Sequence, residues 1–280
     1  MDKRDQLHEQ LHLIQEWEKD QKGLWFWEKL GRLPFKLLDK MTPKFIQNKI
    51  GILVSELGCY VQTGGQYLIQ EQALLKKIEN KSGNEIENIA DVGNIPLQDM
   101  IDLSDELQMN RVKIATIQGA STGIGGIFTL VIDIPVILGM ALKTLQENAI
   151  IHGYDPKDKQ ERIFIVKCLQ FASCDIVGKE AILKELATKH EEKEESESMI
   201  SQLEGWREVV FTYRDQFGWK KLFQMIPIAG MVFGAYANRG MINDVAEAGN
   251  MLYRKRRIME KLKEEDSSED IFPFSTIIIH

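Results

Sequence analysis

The chain has 280 residues, of which 44% are hydrophobic and 28% are charged, and its formal net charge is −7. This composition is ordinary for a folded globular protein and excludes a chain that is disordered throughout. The negative net charge gives no support to nucleic acid as a partner. Three cysteines lie in apolar surroundings without a CxxC pair, which indicates reduced, buried thiols (Cys59, Cys168 and Cys174). The first ten residues lack the apolar core of a signal peptide, so we expect a cytoplasmic protein.

Hydrophobic spacing predicts helices nearly throughout the chain, and we therefore predict an all-α fold. Residues 1–16 are predicted to form an N-terminal helical extension. Residues 17–260 are predicted to form a single multi-helix domain, interrupted by a charged spacer at 188–198. The polar and then apolar residues 261–280 are expected to be a loosely ordered tail.

The first predicted helix carries both an apolar stripe and a possible metal-binding motif. Leu7 and Ile14 belong to a stripe with helical spacing, which favours burial of that face. His8, Glu9 and His12 fit the HExxH pattern, in which two histidines bind zinc and the glutamate activates a water molecule. A zinc site needs a third protein ligand, and the alternative is that the two histidines flank the buried stripe in solvent. No metal or other cofactor is expected on the leading interpretation.

A basic segment rich in aromatic residues follows this helix. Between Lys22 and Lys49 seven basic residues stand against two acidic ones. Aromatic rings beside cations suit the headgroup layer of an anionic membrane. We therefore predict membrane-surface contact by seven residues: Lys22, Trp25, Phe26, Trp27, Lys29, Arg32 and Lys36. The alternative is that the aromatic rings pack on the core while the lysines are solvated.

Residues 114–142 contain a single charged residue, Asp133, followed closely by Pro135. A run of this length could cross a bilayer. Asp133 fits as the N-cap of a helix that begins at Ile134, with Pro135 in its first turn. On that interpretation the run is two helical segments that meet at an acidic corner, and buried helices or a re-entrant hairpin are favoured over a single span.

Glycines with four-residue spacing occur in this run and again near residue 230. Gly119 and Gly123 are four apart, Gly126 extends the first set, and Gly230 and Gly234 form the second. On a helix this spacing places small residues on one face, so that another backbone can approach closely. We therefore predict that the two glycine-rich blocks pack together as the spine of the domain.

Turn signals and a basic run mark the remaining helices. Gly153 suits a helix C-terminus, and Asp155 with Pro156 suits the start of a helix that runs to about residue 172. The basic run at 253–257 is expected to be a solvated helix end that complements the helix dipole, with an anionic-lipid contact as the alternative.

Segments 119–155 and 226–260 together resemble the two signatures of the EcsC protein family. The first block has a glycine-rich stretch, an Asp-Ile-Pro and a helix that ends near Tyr-Gly; here the order is His152-Gly153-Tyr154, a local departure. The matching positions of the first block are Gly119, Gly123, Gly126, Asp133, Pro135, Gly153 and Tyr154. Those of the second are Pro227, Gly230, Gly234, Asn238 and Arg257. The resemblance covers most of the chain, from about residue 17 to residue 260.

The family takes its name from a member encoded beside an ABC transporter linked to protein secretion in Bacillus-like bacteria. The resemblance therefore implies a bacterial accessory protein at the inner face of the cell membrane, with an ABC transporter or another membrane protein as partner. The glycine-rich stretch lacks the Gly-Lys-Ser/Thr ending of a phosphate-binding loop, so it predicts no nucleotide site.

Three functions are compatible with these patterns. The first is a non-enzymatic accessory protein on an anionic membrane surface. The second is a binding module that holds a lipid or another apolar ligand between the glycine-faced helices. The third is a zinc-dependent hydrolase built on the His8-Glu9-xx-His12 motif.

Overall fold

The structure is a computed structural model that describes residues 3–21, 69–123, 130–173, 176–188 and 227–269. These residues form eight helices and no strand: α1 (Arg4–Asp20), α2 (Glu71–Ser82), α3 (Ile89–Val92), α4 (Leu97–Gly123), α5 (Leu130–Ile151), α6 (Lys159–Ser173), α7 (Ile176–Thr188) and α8 (Pro227–Glu269). The prediction of an all-α fold is confirmed.

Helix α8, with 43 residues, is the axis of the structure, and α4 lies antiparallel along it. Near one end the backbone of Gly119 contacts that of Gly234. Near the other end the ammonium group of Lys261 donates to the carbonyl oxygen of Ile95, 2.9 Å away. Contacts at both ends keep the two helices together over nearly the whole length of α4. The spine predicted from the two glycine-rich blocks is therefore α4 with α8.

The contacts of α5 and α1 with α8 show the direction in which each of these helices runs. Leu145 of α5 packs beside Gly249, and the guanidinium of Arg257 reaches the end of α5, so α5 runs parallel to α8 and antiparallel to α4. Helix α1 runs antiparallel to α8: Arg4 pairs with Asp266 at 2.6 Å, whereas residues near the end of α1 contact α8 around residue 247.

This packing gives the bundle two chemically different ends. The first, here called the glycine end, contains residues 114–123 of α4, 130–140 of α5 and 227–240 of α8. The second, here called the arginine end, contains residues 93–96, the last turn of α5, the start of α6 and the basic residues 254–257 of α8. Asp133 and Arg239 are the only charged residues in the three segments of the glycine end.

The apolar stripe predicted on α1 is confirmed. Leu7 and Ile14 are fully buried and pack with residues of α2, α4 and α5, including Met100 and Ile150. Further along α1, the indole ring of Trp17 lies 5.5 Å from the ring of Phe171, and its Nε1–H donates to Glu247 at 2.6 Å. Helix α1 therefore packs against the other described helices along its length.

The position of Asp133 corrects the prediction for the apolar run. The run does divide into two helices, but α5 begins at Leu130, so Asp133 lies inside its first turn and is not the N-cap of a helix from Ile134. The helical pattern of the apolar residues extends upstream of the proline. Pro135 is the sixth residue of α5, beyond the four N-terminal residues whose amides have no helical partner, so it removes one backbone hydrogen bond from the helix.

Two further boundaries differ from those predicted. The carboxylate of Asp155 accepts from the amide of Lys157 at 2.9 Å and so closes a turn, and α6 begins only at Lys159, because the carbonyl of Asp158 accepts its first helical bond. At the C-terminal side, α8 continues to Glu269, so the first part of the predicted loose tail is helical. Among the described residues, no helix is both long and apolar enough to cross a membrane.

Candidate functional site

The glycine end contains a direct backbone contact between two family-motif positions. A methyl group at Gly119 would lie 2.1 Å from the carbonyl oxygen of Gly234 and 2.9 Å from the amide nitrogen of Ala235. No side chain other than hydrogen fits between the helices at this crossing. The glycines therefore serve close helix packing, and this crossing has no space for an apolar ligand between α4 and α8.

The other motif positions of the glycine end lie in the same three helices. Asn238 is fully buried on α8, one turn beyond Gly234. The backbone places Gly123 at the end of α4, and places Asp133, Pro135, Pro227 and Gly230 in the first turns of α5 or α8. Gly126 lies outside the described residues.

Large apolar side chains are exposed at the glycine end. Ile117 of α4 is 71% exposed and Tyr236 of α8 is 73% exposed, and each stands two residues from the Gly119–Gly234 crossing. Ile114 of α4 and Val136 of α5 are each nearly half exposed at the same end. Each of the three helices of this end therefore exposes at least one large apolar side chain.

The arginine end is built around the turn that ends α5. Gly153 has φ = +79°, the left-handed conformation that glycine adopts without strain. Its amide donates to the carbonyl of Ile150, and the amide of Tyr154 donates to that of Ala149, both at 2.9 Å. These two bonds define a Schellman motif. The prediction that Gly153 ends a helix is confirmed.

Arg257 locks this turn to α8. Its Nε and Nη2 donate to the carbonyl oxygen of His152 at 2.8 and 2.6 Å, and this carbonyl has no partner further along α5. A methyl group at Gly153 would lie 2.7 Å from the amide nitrogen of Gly93 and 2.9 Å from Nη2 of Arg257. The structure thus brings together three positions predicted from the family motifs, namely Gly153, Tyr154 and Arg257.

Tyr154 stacks with two arginines. The guanidinium carbons of Arg256 and Arg257 lie 3.9 and 4.4 Å from the centre of its ring, within the range of cation–π attraction. Its hydroxyl donates to the carboxylate of Glu260 at 2.9 Å. Burial is the main reason that the pKa of Tyr154 is raised above its usual value. The tyrosine is therefore a neutral donor that orders the cations around it.

Glu161 of α6 completes this network and was not singled out from the sequence. Its buried carboxylate accepts from the hydroxyl of Tyr253 at 2.7 Å and from Nη1 of Arg256 at 2.8 Å. Tyr253 is fully buried, so the expectation that residues 253–257 form a solvated helix end is wrong. A helical pattern alone could not show this, because the acid that pairs with Arg256 lies 95 residues away in sequence.

His152 is fully buried beside the same network. Its Nδ1 lies 2.8 Å from the carbonyl oxygen of Asn148, and because a carbonyl can only accept, Nδ1 carries the proton. Burial, reinforced by the positive charges of Arg254 and Arg257, lowers the pKa of His152 to about 3. The imidazole is therefore neutral at physiological pH.

The described polar side chains of the arginine end are engaged with one another. Its acids, tyrosines and arginines contact one another. The thiol of Cys168 is free and fully buried, and burial is the main reason that its pKa is raised. A reactive thiol needs exposure and a lowered pKa. The prediction of a buried, reduced cysteine is confirmed for Cys168, while Cys59 and Cys174 lie outside the described residues.

The HExxH motif lies on the outer face of α1. His8, Glu9 and His12 are exposed, and Nε2 of His12 lies 4.0 Å from the carboxylate of Glu16. Within the part of the chain that the structure describes, no three His, Cys, Asp or Glu side chains are grouped so that they could hold a metal ion. The described residues thus add no third ligand to the histidine pair.

The basic aromatic segment, which contains the seven predicted membrane-contact residues, lies outside the described residues.

Comparison with known proteins gives matches over most of the chain. The profile of the EcsC protein family matches residues 8–258. The uncharacterized protein YdbA of Bacillus subtilis (strain 168) is 55% identical over 267 residues, which cover 95% of this chain and 97% of YdbA. Protein EcsC of the same organism is 29% identical over 170 residues, 61% of this chain and 69% of EcsC. No solved structure matches the chain.

Proposed function

The chain belongs to the EcsC protein family, and we propose that it is a non-enzymatic accessory protein that binds the surface of an anionic membrane through the glycine end of its helical bundle. The observation that carries this proposal is the apolar surface at that end. Ile117 and Tyr236 are each more than 70% exposed there, on two helices packed against each other. Large apolar side chains exposed at one end of a bundle favour contact of that end with a membrane or another protein.

Charge and chain direction favour a membrane as the partner. The three helical segments of the glycine end contain only Asp133 and Arg239 as charged residues. Helix α1 runs antiparallel to α8 and so ends on the side that faces the glycine end. The basic aromatic segment from Lys22 to Leu38 follows directly in sequence. Cations next to aromatic and apolar side chains in sequence, as in this segment, suit anionic headgroups above acyl chains.

Vesicle flotation of the full chain tests the proposal. We expect the protein to float with vesicles that contain phosphatidylglycerol and to float less with vesicles of phosphatidylcholine alone. Reversal of three charges (Lys29→Glu, Arg32→Glu and Lys36→Glu) should weaken binding at least about 100-fold, because each cation near an anionic surface contributes about 1 kcal/mol.

A matched variant controls for net charge. Lys76→Glu, Lys159→Glu and Lys263→Glu reverse three exposed charges on described helices away from the glycine end. This variant should float nearly as well as the natural protein. Equal loss of binding in both triple variants, or no flotation with either vesicle type, would contradict the proposal.

A further part of the proposal concerns the protein partner and the location in the cell. We propose that the protein works at the inner face of the cell membrane, beside an ABC transporter or another membrane protein involved in secretion. This step rests on the family resemblance. Cross-linking in cells followed by identification of the attached membrane protein tests it, and cross-links to water-soluble proteins alone would contradict it.

A further inference from the structure

Arg254 of α8 is a buried cation without an acidic partner. It is only 7% exposed, yet among the described residues no carboxylate lies within ion-pairing distance of it. Its Nη2 donates to the side-chain oxygen of Asn250 at 2.8 Å. Its Nη1 reaches the side-chain oxygen of Gln10 only at 3.5 Å, and its Nε has no partner in the described structure.

The two nearby arginines, unlike Arg254, each lie beside a carboxylate. Arg256 donates to Glu161 at 2.8 Å, and Arg257 lies 3.1 Å from Glu260. Removing a charge from water without a counter-charge costs several kcal/mol. Arg254 alone of these three bears that penalty without a carboxylate beside it.

The carboxylate of Asp105 attracts the guanidinium of Arg254 electrostatically but makes no direct contact with it. Asp105 of α4 accepts from the amide of Asn250 at 3.0 Å, so that the asparagine stands between the carboxylate and the guanidinium. Burial lowers the pKa of Arg254, and the charge of Asp105 opposes this only in part. An arginine remains protonated even so, and its positive charge is left largely uncompensated inside the bundle.

A second buried polar group, on α4, also has no partner in the described structure. It is the hydroxyl of Ser104, the residue before Asp105, and a hydroxyl can donate to an oxyanion. Buried polar atoms are nearly always satisfied, so the unpartnered Nε–H of the buried Arg254 indicates a bound group that accepts hydrogen bonds.

We propose that Arg254 anchors a buried site for a small oxyanion, a carboxylate or a phosphate group, between α1, α4 and α8. A guanidinium has five N–H donors, and the two bonds described above leave its Nε–H and further Nη–H donors for the two oxygens of such an anion. Gln10 of α1 forms the third side of the site and its amide can donate to the same group. The bound anion would supply the negative charge that no described carboxylate provides beside Arg254.

Thermal unfolding of the full chain in different salts tests the site. Inorganic phosphate and acetate are compared with chloride at equal ionic strength. We expect at least one oxyanion to raise the Tm by roughly 2–4 °C once its concentration is about ten times its Kd. An effect of phosphate alone assigns the site to phosphoryl groups, and an effect of acetate assigns it to carboxylates.

Two arginine variants separate the site from general salt effects on stability. Arg254→Gln should lose the oxyanion-dependent rise in Tm. Arg239→Gln, which removes an exposed arginine from the same helix, should retain it. The same rise in both variants would overturn the proposal, since the effect would then not require Arg254.

A second variant does not depend on removing the buried arginine. Gln10→Glu places a carboxylate where the side-chain oxygen now lies 3.5 Å from Nη1 of Arg254. This built-in anion should raise the Tm in chloride and abolish the response to phosphate and acetate. A natural protein whose Tm is the same in chloride, phosphate and acetate would overturn the proposal, whatever the behaviour of Gln10→Glu.

Discussion

His152 shows at the scale of a residue how burial converts a titratable group into a structural one. Its Nδ1–H donates to the carbonyl of Asn148, and Nε2 has no partner among the described residues. The nearby guanidinium groups of Arg254 and Arg257 oppose a second proton on the ring. The imidazole therefore acts as a flat, neutral element beside the ring of Tyr253, 6.0 Å away.

This arrangement predicts how stability depends on pH. The pKa of His152 is about 3 in the folded chain against 6.5 for a free histidine. Between these values the unfolded chain binds a proton that the folded chain does not. The free energy of unfolding should therefore fall as pH drops from about 6.5 towards 3, by about 1.4 kcal/mol per pH unit from this group.

Denaturant unfolding between pH 4 and 7 measures this slope. His152→Gln should lose that contribution, so its stability should vary less with pH than that of the natural protein. His8→Gln, which replaces an exposed histidine on α1, serves as the control and should keep the natural slope. Equal slopes in the natural protein and in His152→Gln would show that the buried imidazole is not the group responsible.

At the scale of helices, the crossing of α4 and α8 depends on the absence of one side chain. The backbone of Gly234 occupies the place where a methyl group at Gly119 would lie. Helices that approach this closely cannot accept an added carbon without separating, and separation weakens the packing of both neighbours.

Two glycine substitutions with opposite expected effects test this packing. Gly119→Ala should lower the free energy of unfolding by about 3 kcal/mol, because the added methyl group overlaps the partner backbone. Gly240→Ala, on the exposed side of α8 with no atom within 4 Å of the new methyl group, should raise it by up to about 1 kcal/mol through helix propensity. A Gly119→Ala variant as stable as the natural protein would contradict the close crossing.

The glycine spacing of the sequence predicted this crossing, because a four-residue period marks a helix face without reference to distant residues. The helix end at Gly153 was predictable for the same local reason. The network of Glu161, Tyr253 and Arg256 was not, since its partners are far apart in sequence and each is ordinary on its own. The start of α5 was misplaced because Asp133 and Pro135 have the local pattern of a helix cap but lie within a helix.

At the scale of the molecule, antiparallel packing sorts the chain into an apolar end and a charged end. The end of α4, the start of α5 and the start of α8 meet at the glycine end, where large apolar side chains are exposed. The end of α5, the start of α6 and the basic residues of α8 meet at the other, where arginines, acids and tyrosines contact one another. This difference between the two ends is the basis for assigning the membrane contact to the glycine end.

Vesicle flotation of two single-residue variants tests most directly whether the glycine end binds the membrane. Tyr236→Asp places a charge in the exposed apolar surface at that end, whereas Met259→Asp makes an equal change in charge at an exposed site near the other end of α8. With vesicles that contain phosphatidylglycerol, Tyr236→Asp should bind at least about tenfold more weakly than the natural protein, because apolar contact is lost and the new charge is repelled. Met259→Asp should bind within about twofold of the natural protein. Equal binding by Tyr236→Asp and the natural protein, or equal loss in both variants, would contradict the assignment of the glycine end as the membrane-binding surface.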